Sequence, residues 1–442
     1  MTAVNVGIIG LGNVGGGTLE ILTGNAAAIE ARLGFPLRVR AISSRSVLQA
    51  PPAAAAALPA DVRRSTDWRD VVDDPEIQIV AELIGGTSVA AEVIEAAIAA
   101  GKSVVTANKE LMAQRGAELW AAAARAGVSL AMEATVAGGI PIHAVLREGI
   151  AGDRVQSMVG ILNGTCNYIL TEMERRGDSF ETVLAEAQAL GYAEADPSAD
   201  VDGLDARSKL ALLAALAFGT RIRPAEIHVE GIRRVRSVDF SYARRLGQTV
   251  RLIGSAERVG DDGLLLSVQP ALIPEGAILA HVQGAYNAVW VRGAWGQDTF
   301  YYGRGAGPAP TGVAVVSDLI RAARELRAGA AGALSPFAHT TLAEESPRSI
   351  RERIRPWYLR FRVRDQPGII AALAAILAQS GIGIDAVLQL PGEEKADLPF
   401  VITLEPTATG VVQDAVATMG RLDFLVDEPL VLPMEAGLGT GA

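Results

Sequence analysis

Nineteen residues, Gly191 to Lys209 (GYAEADPSADVDGLDARSK), gather five carboxylates and Lys209 in an otherwise apolar part of the chain. A lysine held there is at once a cation and a proton donor, which is what an oxygen developing negative charge requires. Asp196-Pro197 and Asp202-Gly203 are turn formers, and a residue before proline is pushed out of the helical region. A helix is expected after Gly203, running through LALLAALAF to Phe218. On it Asp202, Asp205 and Lys209, spaced i, i+3 and i+7, would project from one face, with Asp205 in reach of Lys209. An ordinary surface pair at a helix start has the same spacing. Here, however, Lys209 is followed at once by an uncharged run, so it stands where the helix enters the interior, and a lysine there needs a reason.

The partner of such a lysine would come from the N-terminal part. Residues 3–9 (AVNVGII) read as a buried strand that runs directly into Gly10-Leu11-Gly12-Asn13-Val14-Gly15, with a helical pattern behind. That is G-x-G-x-x-G in its required context, where glycines let the backbone approach a pyrophosphate at a helix N-terminus. The next strand, Leu37 to Ile42, lacks the terminal acid that would hold a free ribose 2′-hydroxyl: no Asp or Glu lies between Glu30 and Asp61. Arg38, Arg40 and Arg45 with Ser43 and Ser44 surround it instead, which favours NADP over NAD and leaves use of both open.

Behind these residues, apolar strands alternate with alanine-rich helices: strand 78–84, helix 89–100, strand 103–106, helix 110–126 and strand 128–132. The alternation predicts an α/β, doubly wound parallel sheet of the Rossmann type, covered on both faces. Ligands of such sheets bind beyond the carboxyl ends of strands, which selects Gly85-Gly86-Thr87, Thr106-Ala107-Asn108-Lys109 and Glu133-Ala134-Thr135 as pieces of one crevice floor. Lys109 is the second lysine placed to reach the chemistry. The alanine- and proline-rich stretch 51–60 reads as a permissive loop.

From Ala137 the pattern changes. Strands at 155–162, 229–232, 248–255, 264–270 and 287–295, with a helix from about Tyr168 to Arg175, predict an α+β domain built on a mixed or antiparallel sheet. Three glycines, Gly303, Gly305 and Gly307, precede a helix over Val313 to Leu326 and offer close backbone approach to a ligand. A charged, proline-containing stretch is a hinge candidate, and beyond it 357–435 completes a small βαββαβ unit without an evident catalytic set, hence regulatory or assembling. The expected order is a dinucleotide domain (1–136), a substrate and dimerisation domain (137–310), a helix returning to the nucleotide domain (311–340), a linker (341–356) and the small C-terminal domain (357–435).

Composition narrows the function. A formal charge of −10 over 442 residues argues against nucleic acid or an anionic membrane surface as the main partner, and favours a small-molecule enzyme. The single cysteine, Cys166, excludes an internal disulfide and agrees with a reducing, cytoplasmic location. Four scattered histidines show no metal-ligand spacing, and no apolar run is long enough to span a membrane.

At this point the chain resembles homoserine dehydrogenases with a C-terminal ACT domain, over nearly its whole length. The resemblance rests on GLGNVGGG (10–17), VVTANKELMA (104–113), EATVAGGIPI (133–142), GILNGTCNYIL (160–170), GYAEADPSADVDGLDARSKLALLA (191–214) and GRGAGPAPT (303–311). It implies NAD(P)-dependent interconversion of L-homoserine and L-aspartate 4-semialdehyde, in threonine and methionine biosynthesis. It implies further that Lys209 gives the proton to the aldehyde oxygen, that Lys109 is the second lysine near that oxygen, and that Glu194, Asp200 and Asp205 gather the substrate ammonium and orient the lysine. Gly10, Gly12, Asn13, Val14, Gly15, Arg40, Arg45, Gly86, Thr87, Lys109 and Gly307 become the cofactor set. The backbone carbonyls of Glu133, Val136, Gly138 and Ile140 match positions that hold a sodium ion in relatives. Threonine at the ACT-like domain, opened by Asp365-Gln366-Pro367-Gly368, and a homodimer or homotetramer are likewise implied. Cys166 departs from the family's usual threonine, a change expected to matter little if Thr165 does the local hydrogen bonding. The alternatives are another amino-acid dehydrogenase on the same fold, such as an aspartate dehydrogenase, and a catalytically silent NADP-binding sensor.

Overall fold

The computed structural model describes residues 2–48, 58, 60–260, 263–390 and 394–435. The predicted loop at 51–60 lies, apart from Leu58 and Ala60, outside the described residues. The chain divides into two compact units, one comprising 1–155, 208–224 and 293–345, the other 156–207, 225–292 and 346–442.

The first unit is built on six parallel strands: β1 (Val4–Ile9), β2 (Leu37–Ser43), β3 (Arg63–Ser65), β4 (Ile79–Glu82), β5 (Ser103–Thr106) and β6 (Leu130–Ala131), in the order β3-β2-β1-β4-β5-β6. Their sequences are near-continuous apolar runs because both faces are covered, as parallel sheets require. The covering helices include α1 (Asn13–Gly24), α2 (Ser88–Ala99) and α3 (Lys109–Ala126). Strand order reverses beside β1, so a crevice is expected beyond the carboxyl ends of β1 and β4.

The strand β12 (Asp298–Arg304) belongs to this unit, and so does the long helix α8 (Pro308–Arg327), which buries Ala314, Val315, Leu319, Ala322 and Ala323 in the same core as Val6, Ile8 and Leu19. It begins five residues earlier than the sequence pattern indicates, on Pro308, whose fixed φ suits a first helical turn. Small residues make the approach: a side chain at Gly17 would lie 2.1 Å from the Pro308 carbonyl oxygen, and one at Gly312 2.8 Å from the Gly17 carbonyl carbon.

In the second unit, β11 (Tyr286–Gly293), β7 (Val155–Ile161), β9 (Gln248–Val259), β10 (Gly263–Pro274) and β8 (His228–Val229) are hydrogen-bonded in that order. β9 and β10 form a full-length antiparallel pair, while β8 joins β10 in parallel. The helices α4 (Gly164–Arg176), α5 (Phe180–Ala189) and α7 (Ser237–Arg245) belong to this unit, whereas α6 (Leu204–Phe218) starts in it and ends in the first. The C-terminal part has the predicted βαββαβ order: β13 (Ile354–Val363), α9 (Ile369–Gln379), β14 (Ile384–Gln389), β15 (Leu398–Ala408), α10 (Thr409–Met419) and β16 (Leu430–Pro433). Its antiparallel sheet runs β14-β15-β13-β16.

Alternation along β13 assigns its two faces. Trp357, Leu359, Phe361 and Val363 enter the core beneath the two helices. Tyr358 and Arg360, on the other face, meet Asp239 of α7 at 2.8 and 2.7 Å, all three within 3% of full burial. Nor is the expected linker slack at its end, since Arg353 is 5% exposed and pairs with Glu435 at 3.1 Å.

Candidate active site

In the first unit, β1 delivers the glycine turn. Gly10 has φ +101°, and a side chain there would strike the Leu83 carbonyl oxygen at 2.5 Å; one at Gly15 would strike the Gly10 carbonyl oxygen at 2.1 Å. Gly12, by contrast, faces open space and caps α1, with Asn13 and Val14 opening the helix. Two glycines therefore close the turn and the middle one leaves room for a phosphate at the helix N-terminus. Gly307 (φ +127°) caps α8, whose Pro308 packs on Gly17 of α1.

The adjoining floor is fastened by a carboxylate that the sequence pattern conceals. Glu82, fully buried at the end of β4, accepts from the Thr106 hydroxyl at 2.6 Å and from the Ile84 and Gly85 amides at 2.9 and 3.4 Å. Burial holds its carboxyl above the usual range despite these donors. Asn108 continues the network, giving its side-chain amide to the Gly86 carbonyl at 2.6 Å and capping α3 by accepting from Leu111. The exposed Gly85 and Gly86, both near φ +72°, the half-buried Thr87 and Lys109 at the first turn of α3 are thus held on one hydrogen-bonded frame.

Lys209 is 8% exposed on α6, which spans Leu204 to Phe218 as its sequence predicts, and Leu210 to Ala215 behind it are all buried. α6 lies beside α3. Met112 and Gly116 line a small cavity together with Ala211 and Ala215, and farther along both chains Arg221 pairs with Glu118 at 3.1 Å. The two helices therefore run in the same sense, with Lys109 three residues before that cavity and Lys209 two residues before it.

Glu133 also sits in this unit. Its carboxylate accepts the His143 and Ala144 amides, both at 2.9 Å, and its own amide gives to Asp318 at 2.7 Å. Burial, with the Asp318 charge beside it, raises the Glu133 carboxyl to about 7. Ala137 (φ +58°) and Gly138 (φ +49°) turn the chain through the left-handed region. The buried carbonyls of Val136 and Gly138 receive no hydrogen bond among the described residues, whereas that of Ile140 accepts from Ile142 at 2.8 Å.

In the second unit, Asn163 gathers the acids. Its side-chain amide gives to Asp200 at 2.7 Å and to Asp205 at 2.8 Å, while its oxygen caps α4 by accepting from the Cys166 amide at 2.8 Å. Cys166, fully buried, gives its thiol to the Asp200 carbonyl at 3.1 Å, and Thr165 gives its hydroxyl to the Tyr192 carbonyl at 2.8 Å. Both side chains thereby fix the 191–205 segment.

One expectation needs correction. Asp202 does not share the helix face of Asp205 and Lys209, because α6 starts at Leu204 and the Asp202 carboxylate is held outside it by Arg233 at 2.5 Å. Glu194 is exposed, and its carbonyl accepts the Gln188 side-chain amide at 3.0 Å. Arg40 pairs with Asp74 at 3.2 Å and with Glu76, both in the turn before β4. Arg45 remains exposed just beyond the carboxyl end of β2. Nothing in the sequence marks Asn163 or Glu82: the first reads as an Asn-Gly turn, the second as the end of an apolar strand.

Strand order, glycine turn and the lysine-bearing helices define a nicotinamide-dependent dehydrogenase. Comparison with known proteins adds detail. The NAD-binding domain model of homoserine dehydrogenase matches residues 10–133, the homoserine dehydrogenase model 141–320 and the ACT domain model 357–423. The homoserine dehydrogenase of Pseudomonas aeruginosa is 41% identical over 426 residues, 96% of each chain, and that of Neisseria gonorrhoeae 40% identical over 437 residues, 98% of each. A crystal structure of a homoserine dehydrogenase from Thiobacillus denitrificans superposes with a TM-score of 0.91 at 42% identity, covering 98% of this chain and 99% of that one. The chain belongs to the homoserine dehydrogenase family, oxidoreductases acting on a CH–OH group with NAD(P), and carries a C-terminal ACT domain. No helix among the described residues is long and apolar enough to cross a membrane.

Proposed function

We propose that the chain interconverts L-homoserine and L-aspartate 4-semialdehyde, on the route to threonine and methionine, with Lys209 as the proton donor and acceptor. The observation that supports this most is the side-by-side course of α3 and α6, on which Lys109 and Lys209 stand three and two residues before the small cavity that both helices line. When bound, the nicotinamide supplies or receives the hydride. As the aldehyde oxygen gains negative charge, Lys209 passes it a proton and Lys109 adds a second positive charge near it. In the oxidative direction Lys209 takes the hydroxyl proton back. Asp200 and Asp205, held by Asn163, receive the substrate ammonium, with Asp205 orienting the amine one helical turn ahead. Glu194 serves, on this proposal, from the rim.

For the cofactor, NADP is preferred, with Arg45 rather than Arg40 meeting the 2′-phosphate. Gly10, Gly12, Asn13, Val14, Gly15, Gly86, Thr87 and Gly307 approach the remainder. A monovalent cation, sodium, would sit on the carbonyls of Glu133, Val136, Gly138 and Ile140; the buried, donor-free carbonyls of Val136 and Gly138 fit such an ion. The Glu133 carboxylate is spent on two amides, so only its carbonyl can contribute. The ACT domain would take threonine as a feedback effector, and the assembly would be a homodimer or homotetramer, which light scattering measures directly. Steady-state rates with L-homoserine and with L-aspartate, in NADP and in NAD, test the substrate and cofactor together: turnover of aspartate alone would overturn the assignment.

A further inference from the structure

Residues 328–345 continue the chain from α8 and run against both lysine-bearing helices. Phe337, 2% exposed, lines the small cavity between them together with Met112 and Gly116 of α3 and Leu212 and Ala215 of α6. That cavity, about 20 Å³, has room for about one water molecule, so the ring is seated with little slack. A side chain at Gly116 would lie 2.8 Å from the Phe337 Cζ. Glycine inside a helix is otherwise less favourable than alanine, so its presence opposite the ring is a matter of space. The segment is also fastened. The Ala343 amide gives to the Gly219 carbonyl at 2.7 Å and the Ala343 carbonyl accepts the Arg221 amide at 2.8 Å, while the Arg221 side chain reaches Glu344 and Glu118 of α3, each at 3.1 Å. His339 gives its Nε2 hydrogen to the Leu216 carbonyl of α6 at 3.0 Å. Between these anchors Ala338 holds φ +65°, a conformation that persists only where the surroundings impose it.

We propose that Phe337 is a positioning residue for the reaction: as a wedge between α3 and α6 it sets the distance between Lys109 and Lys209, and so how both amines meet one oxygen. The wedge rests on the proposed assignment of those lysines to that oxygen. Helical spacing ties the contact to them. Met112 and Gly116 follow Lys109 by three and seven residues, and Leu212 follows Lys209 by three, so each lysine shares a helix face with residues that line the cavity around the ring. A close-packed contact passes a displacement on instead of absorbing it. A misplacement of about 1 Å in a group that must meet the reacting atoms costs on the order of a hundredfold in rate. Neither residue 116 nor residue 337 carries a group that can move a proton or a hydride, so a change of rate on substituting them acts through the geometry of the lysines.

Single-turnover hydride transfer, KM values and thermal unfolding of the full-length Phe337→Ala, Gly116→Ala and Gly116→Ala/Phe337→Leu proteins test this. The two single variants are expected to transfer hydride about tenfold to a hundredfold more slowly, with the KM for homoserine and for NADP within about threefold of the wild type. In the double variant the methyl group added on α3 meets a smaller side chain on the segment, and most of the lost rate should return. Should Phe337→Ala fail to fold, Gly116→Ala and the double variant decide the matter by the same comparison. A wild-type rate in a folded single variant overturns the wedge, as does a double variant that regains stability without regaining rate. If Lys209→Ala itself transfers hydride as fast as the wild type, the lysine assignment falls and the wedge with it. A slow Lys209→Ala beside a fast, folded Phe337→Ala overturns the wedge alone.

Discussion

Asn163 gives one side-chain amide to Asp205 at 2.8 Å, and Asp205 lies one helical turn before Lys209. An uncharged residue therefore sets the position of a carboxylate that, on the proposed mechanism, receives the substrate ammonium. Asn163→Ala should raise the KM for homoserine by about tenfold to a hundredfold, the range for a lost hydrogen bond to a charged group. It should also cost about 1 kcal/mol of stability, because the cap on α4 is lost. Asn163→Asp keeps the cap but sets a third carboxylate beside two. Denaturant titration with kinetics separates the cases. The Asp variant should lose substrate affinity and, from repulsion among three close carboxylates, lose more stability than the Ala variant at neutral pH and regain it as pH falls.

Glu82 fastens the Gly85-Gly86 loop that is proposed to approach the cofactor. Glu82→Gln can still accept from the Ile84 and Gly85 amides and reverse its bond with Thr106, so NADP affinity should change by less than about threefold. Glu82→Leu frees the Gly85-Gly86 loop and leaves several polar groups unanswered, so the KM for NADP should rise by about tenfold or more. Equal KM values for NADP in both variants would show that the loop is held by other means.

For cofactor choice the two arginines make opposite predictions. Arg45→Glu should raise the KM for NADP by about tenfold or more with little effect on NAD, since a phosphate would meet a carboxylate. Arg40→Ala should leave the NADP to NAD ratio as it was, because Asp74 and Glu76 already hold that side chain. A large change of ratio in the Arg40 variant would reverse the roles.

Glu133 predicts a pH dependence of stability. Its carboxyl lies at about 7 in the folded chain, against an ordinary value of 4.5, so the folded state binds that proton more tightly. The corresponding stability is fully present below pH 4.5 and is lost as pH rises towards 7, an amount on the order of 3 kcal/mol. Urea unfolding between pH 4 and pH 8, in buffers free of sodium and potassium, should show this decline in the wild type and a shallower one in Glu133→Gln. Parallel curves would contradict it.

Much of this architecture is legible in the chain. Apolar runs of strand length alternating with helical periodicity specify the parallel sheet, and Gly203 with the run behind Lys209 fixes α6 from Leu204 to Phe218. The βαββαβ order of the C-terminal domain follows from the same periodicities. What escapes is set by contacts distant in sequence. Arg40 looks available until Asp74, 34 positions away, is seen beside it. Asn163 meets carboxylates 37 and 42 positions on, and Glu82 meets Thr106 24 positions on. Asp202 fails for a local reason: it lies two residues outside the helix, where spacing rules for a helix face no longer apply.

The most direct test concerns Lys209. Pre-steady-state hydride transfer, followed by the absorbance of the reduced nicotinamide with L-homoserine and with L-aspartate 4-semialdehyde, should fall by about a hundredfold to ten-thousandfold in Lys209→Ala in both directions. Cofactor affinity should stay near that of the wild type. An unchanged hydride-transfer rate in either direction would show that another group moves the proton.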